Sequence, residues 1–119
     1  MRIKEYNEKE RKKEFQYLKT HVFNGLENLN DGFDSKSIYY FSEADFEIVL
    51  DRIQKKNIAI FGIEPWLNRE FYDVLSYEDY KTVANDPVWY RKAFIEFKNR
   101  SKNLMYSASY QVPKKLFSE

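Results

Sequence analysis

The chain opens with charged residues from Lys4 to Glu14, after which Phe15, Leu18, Val22, Leu26 and Leu29 recur at three- and four-residue spacing. That period places them on one face of a helix. The spacing predicts a helix from Asn7 to Leu29, stopped by Asn30-Asp31-Gly32, residues that tolerate left-handed dihedrals. Ile38-Tyr39-Tyr40-Phe41 then reads either as a short strand or as an anchored approach to the next helix. Ser42, followed by Glu43 and Asp45, is a helix start, with a capping hydroxyl and acids where the helix dipole favours them. Phe46, Val49, Leu50 and Ile53 follow at helical spacing and predict a second helix to Lys56.

Beyond Lys56 the pattern changes to short β-type runs. Asn57 to Glu64 and Glu70 to Ser76 read as an antiparallel hairpin joined by Pro65-Trp66-Leu67-Asn68-Arg69. Ser76 with Glu78 and Asp79 marks a short helix from Tyr77 to Ala84. Asp86 caps another, with Pro87 at the first helical position, where its missing donor does no harm, and a buried stripe of Tyr90, Ala93, Phe94 and Phe97 to Asn99. Finally Tyr106, Ala108, Tyr110 and Val112 alternate with Met105, Ser107, Ser109 and Gln111, a strand that Pro113 ends. This order implies a single α+β domain over 1–119, in which a small, largely antiparallel sheet of about three strands, extendable to a fourth, packs against three or four helices.

Composition narrows the chemistry. Hydrophobic residues are 43% and charged residues 33%, a balance that folds, and no apolar run reaches the ~18 residues of a bilayer helix. The first residues, Met1-Arg2-Ile3-Lys4-Glu5, lack a signal peptide's apolar segment, so a cytoplasmic protein without membrane partners is expected. No cysteine is present, which removes disulfides, thiolate nucleophiles and cysteine-bound zinc. The net charge of +1 conceals a pattern: +2 over 1–30, −6 over 31–79 and +5 over 80–119. Aromatic residues make up 18% of the chain, with 10 Tyr and 10 Phe, more than a small core hides easily; the surplus fills the rim of the core or forms a recognition surface.

Few residues can carry catalysis. His21 stands alone on the first helix, and no Gly-Xaa-Ser-Xaa-Gly turn presents a serine. Gly25, Gly32 and Gly62 are too scattered to cradle a phosphate, so no cofactor is expected. On the second helix Glu43, Asp45, Glu47 and Asp51 lack the spacing of a metal site; Glu47 and Asp51 lie one turn apart, either as a solvated face with Asp51 near Lys55 or as an acidic ridge for a partner. Gly62-Ile63-Glu64-Pro65-Trp66 puts a carboxylate in an apolar setting. One reading makes Glu64, Trp66 and Asp73 the centre of a contact surface, or of a pocket in which Glu64 is a general acid or base; the other has Trp66 covering the core's end and Glu64 receiving loop backbone donors. Lys9, Arg11, Lys12 and Lys13, with Arg91, Lys92, Lys98, Arg100, Lys102, Lys114 and Lys115, leave a nucleic-acid module as a third reading, against which Glu5, Glu8, Glu10 and Glu14 interrupt the first cluster.

The segments Phe41-Ser42-Glu43-Ala44-Asp45-Phe46, Gly62-Ile63-Glu64-Pro65-Trp66, Asp86-Pro87-Val88-Trp89-Tyr90 and Ser107-Ala108-Ser109-Tyr110 together resemble small immunity proteins of bacterial polymorphic toxin systems, including contact-dependent growth inhibition systems. The resemblance covers residues 38–113 as a texture of aromatic, acidic and turn motifs. It implies a cytosolic, non-enzymatic antitoxin that binds and blocks a cognate protein toxin, often a nuclease. The acidic middle and the aromatic surplus then nominate Glu47, Asp51, Glu64, Trp66, Tyr72 and Asp73 as partner-binding residues, with the ridge steering association and Trp66 and Tyr72 as anchors. A small carboxylate-dependent enzyme is the alternative.

Overall fold

The computed structural model describes residues 2–118, with side chains from Glu8 onward. Its helices are α1 (Arg2–His21), α2 (Glu43–Lys56), α3 (Pro87–Arg100) and the single turn α4 (Lys114–Phe117), and its strands are β1 (Ala59–Leu67), β2 (Glu70–Phe71), β3 (Leu75–Ser76) and β4 (Met105–Gln111). The strands form one antiparallel sheet built around β1, which pairs with β4 on one side and with β2 and β3 on the other. The fold is α+β, with the helices packed on the sheet.

Helix α2 follows its sequence signals. The Ser42 hydroxyl accepts the Asp45 N–H, and Asn57 closes the helix in the left-handed region at φ +57°. Phe46, Val49, Leu50 and Ile53 are buried as one stripe. Helix α3 starts where Asp86 accepts the Val88 N–H ahead of Pro87, and buries Trp89, Tyr90, Ala93, Phe94 and Phe97. Both stripes meet Ile60 and Ile63 of β1 and Tyr106 of β4. The Tyr106 ring stacks on Phe46, with centroids 5.1 Å apart and planes 11° apart, and stands edge-on to Phe94.

Helix α1 corrects the sequence expectation at both ends, beginning at Arg2 and stopping at His21 rather than Leu29. The Val22 and Phe23 N–H groups both turn back to the Leu18 carbonyl, and Gly25 adopts φ +82°. Arg52 of α2 donates from Nη1 to the Val22 carbonyl at 2.9 Å and the Asn24 carbonyl at 2.7 Å. An arginine thus satisfies carbonyls that a longer helix would have used itself. Val22 and Phe23 stay buried, so the apolar period continues through irregular backbone.

The hairpin also differs. Strand β1 runs through Pro65 and Trp66 to Leu67, and the connection shrinks to Asn68 and Arg69, both at positive φ. Pro65 is tolerated because it sits opposite Tyr106 at a position whose backbone groups point away from β4. Its carbonyl accepts the Tyr72 N–H on the other side, while Tyr106 exchanges both backbone bonds with Phe41. Of the two readings of 38–41, the anchored approach is therefore realised, with a single bridge at Phe41. The return strand breaks into β2 and β3 around Asp73 and Val74, and the expected helix after Ser76 is one 3-10 turn, Tyr77–Tyr80.

Candidate functional site

Strand alternation sends Ile63 and Pro65 into the core and Gly62, Glu64 and Trp66 to the opposite face of the sheet. Register places Ser109 beside Gly62, Ser107 beside Glu64, and Met105 and Phe71 on either side of Trp66. Among the described residues no helix packs on this face. Instead the loop between α1 and α2 folds over one end of it, organised by Asn30. The Asn30 amide donates to the carbonyls of Asp34, Ser35 and Ile38, and its oxygen accepts the N–H groups of Gly32 and Asp34. The loop delivers Phe33 and Tyr40 against Trp66, each with ring centroids 5.5 Å from the indole.

Two carboxylates are fixed there by aromatic donors. Glu64 Oε2 accepts the Trp66 indole N–H at 2.8 Å, and Asp34 Oδ2 accepts the Tyr40 hydroxyl at 2.6 Å. The Ser107 hydroxyl donates to the Glu64 carbonyl at 2.9 Å, which spends its proton on the backbone. Burial, reinforced by the bond to Asp34, pushes the Tyr40 hydroxyl well above the usual tyrosine range, so it remains a donor at neutral pH. Beside these groups lies a cleft of about 220 Å³ lined by Tyr40, Gly62, Glu64, Val74, Ser107 and Ser109. At its margins Phe71 is 55% and Val74 46% exposed. Arg69 closes the far corner, paired with Asp31 at 2.7 Å and with its guanidinium over the Phe33 ring.

The residues nominated from the sequence fall on three separate parts of the molecule. Glu64 and Trp66 come together on the open sheet face, and the partner of Glu64 is an indole rather than loop backbone. Glu47 and Asp51 lie on the outside of α2, which packs on the other face of the sheet. Asp51 pairs with Arg91 of α3 at 2.7 Å, not with Lys55. Tyr72 turns to the core and stands edge-on to Phe97, while Asp73 binds Arg100 at 2.6 Å and the Val74 N–H at 2.7 Å. The Arg100 guanidinium holds the Asp73 carboxyl below its usual range. A single surface joining the α2 ridge to Trp66 and Tyr72 therefore does not exist.

Asp34, Tyr40, Phe33 and Ser107 were not nominated as site residues from the sequence. The run Asn30-Asp31-Gly32-Phe33-Asp34-Ser35 signals a side-chain-organised turn, but nothing in it says which strand the turn covers. His21 is exposed against Tyr17, with rings 4.3 Å apart. Among the described residues no three His, Cys, Asp or Glu side chains are grouped to hold a metal ion, and no helix is long and apolar enough to cross a membrane. No protein-family model, curated protein or solved structure matches the chain.

Proposed function

We propose that this is a cytosolic binding protein of the immunity type, which neutralises a cognate bacterial toxin by docking it on the open face of the sheet. The observation that carries the reading is the pair of carboxylates, Glu64 and Asp34, held by the Trp66 indole and the Tyr40 hydroxyl beside exposed Phe71 and Val74. Carboxylates already oriented by rigid aromatic donors meet a Lys or Arg with little reorganisation, and the adjoining apolar side chains exclude water around the pair. The carboxylates on this face, Glu64 and Asp34, suit a basic partner such as a nuclease. Tyr72, Asp73, Glu47 and Asp51 play no part in the contact.

Surface plasmon resonance against the product of the neighbouring toxin gene tests this. Phe71→Asp should shorten the lifetime of the complex by about tenfold or more, and Glu64→Lys should slow association and reduce its salt dependence. Both variants must keep the native circular dichroism spectrum. Unchanged rates in both would remove this face from the contact. Substrate turnover abolished by Glu64→Gln would favour the carboxylate-dependent enzyme instead.

A further inference from the structure

We propose that the cleft over Gly62 is a socket for a single arginine side chain of the bound protein. The inference rests on the binding reading above and names the group that the open face grips. A glycine inside a strand gives up packing and chain entropy, and it marks a special backbone angle, a crowded spot or a place that another group approaches closely. The first two reasons fail at Gly62. It is not at positive φ, so neither its own backbone nor the bulge between Ile60 and Gly62 requires glycine. A Cβ at this position would lie 3.5 Å from the Leu75 carbonyl oxygen, 3.7 Å from Val74 and 3.9 Å from the Ser109 hydroxyl, all ordinary contacts. What the missing side chain leaves open is the floor of the cleft of about 220 Å³.

The walls fix the chemistry of what enters. Val74, next to β3, and Ile38, beyond β4, bound the cleft on opposite sides, so it crosses the strands and offers apolar surface to a methylene stem. Glu64 spends Oε2 on the Trp66 indole, while among the described residues its other oxygen and the Ser109 hydroxyl make no hydrogen bond. No basic side chain among them lines the cleft: Arg69 is held by Asp31, Arg100 by Asp73 and Glu96, and Lys36 is exposed on the loop without reaching it. Glu64 and neighbouring Asp34 therefore have no cation from their own chain. A guanidinium is flat enough for a floor without a side chain, donates to Glu64 and Ser109 at once, and sheds water more readily than an ammonium. A lysine ammonium, a compact and strongly hydrated point charge, uses neither the flat floor nor the spread of acceptors.

Amide correlation spectra of the full chain at low salt, with acetyl-arginine amide, acetyl-lysine amide or the uncharged acetyl-citrulline amide added to about 100 mM, provide the test. The arginine compound should shift the amides of Gly62, Glu64 and Ser109 and bind about threefold or more tighter than the lysine compound, and the citrulline compound should leave them in place. Gly62→Val, which fills the cleft, and Glu64→Gln should each abolish the shifts with the circular dichroism spectrum intact. Gly62→Ala, whose one methyl meets only ordinary contacts, repeats the test if valine disturbs the strand. Unmoved amides, a response equal to that of citrulline, a smaller arginine advantage, or shifts that survive a filled cleft overturn the proposal. Against the product of the neighbouring toxin gene, Gly62→Val and Phe71→Asp should each weaken the complex by about tenfold. Weakening by Phe71→Asp alone removes the socket and keeps the face, whereas no change in either removes both.

Discussion

Tyr106 offers a test in which removing a polar atom should strengthen the fold. Its side chain is fully buried, and its hydroxyl has no hydrogen-bond partner among the described residues. Burial pushes that hydroxyl above the usual tyrosine range, with the nearby Glu43 and Tyr72 adding to the shift. A hydroxyl buried without a partner costs about 1–3 kcal/mol relative to an apolar group of the same shape. Tyr106→Phe keeps the ring contacts with Phe46, Phe94 and Phe97 and deletes only the oxygen. The variant should therefore gain about 1–2 kcal/mol in urea unfolding with an unchanged m-value, or roughly 4–8 °C in Tm for a domain of this size. Tyr40→Phe is the matched opposite. It removes a charge-assisted bond to Asp34 and should lose about 1.5–3 kcal/mol. A loss above about 0.5 kcal/mol in Tyr106→Phe would refute the reasoning, because it would mean the hydroxyl is satisfied in the folded chain.

Leu50→Ala, at the centre of the α2 stripe, should cost about 2–5 kcal/mol in urea unfolding through lost burial and the cavity left behind. Glu14 of α1 accepts the Val112 N–H at 2.8 Å, so Glu14→Ala should cost about 1 kcal/mol and raise amide exchange at Val112. Lys81 closes the 3-10 turn at φ +54°, and Lys81→Gly should add about 0.5–1 kcal/mol by relieving a left-handed backbone, read from the thermal midpoint. Burial holds the hydroxyls of Tyr40, Tyr90, Tyr106 and Tyr110 above their ordinary range, Tyr90 being pushed up to about 12, whereas unfolded tyrosines ionise near pH ~10. Above that pH the folded chain holds more protons than the unfolded one, so the urea midpoint should be level from about pH 6 to about pH 10 and fall as pH rises beyond it.

Where a local signal and tertiary packing agreed, the element could be read from the sequence. Helix α2 combined a serine cap with a four-residue apolar stripe, α3 opened on Asp86-Pro87, and β4 alternated until Pro113, and all three formed near the expected bounds. The errors arose where a partner distant in sequence decided the matter. Leu26 and Leu29 extend the helical period of α1 on paper, but Arg52 takes the carbonyls where the helix would have continued. Pro65 looked like a turn residue until its opposite number, Tyr106, was known. The candidate site was half legible for the same reason. Glu64 and Trp66 are two residues apart and face the same way in any strand. Asp34 and Tyr40 join them through a loop whose landing place depends on the Asn30 side chain and the bridge at Phe41.

The central position of β1 has a consequence for how the chain folds. Beyond its short tie to Ala84, every strand of the sheet bonds to β1, and its longest partner, β4, is made only after the hairpin and α3. Until β4 exists, one edge of β1 carries unpaired backbone groups, and the buried stripes of α2 and α3 lack the Tyr106 ring between them. The hairpin and helices can form early from local contacts, but the core closes across long sequence separations, which slows the final step. A chain arrested after Arg100 would present an open strand edge beside an unfilled aromatic layer, a combination that favours association with other chains over waiting. Folding of this protein should therefore be timed by the arrival of β4, and its vulnerability to misassembly should be greatest just before that strand docks.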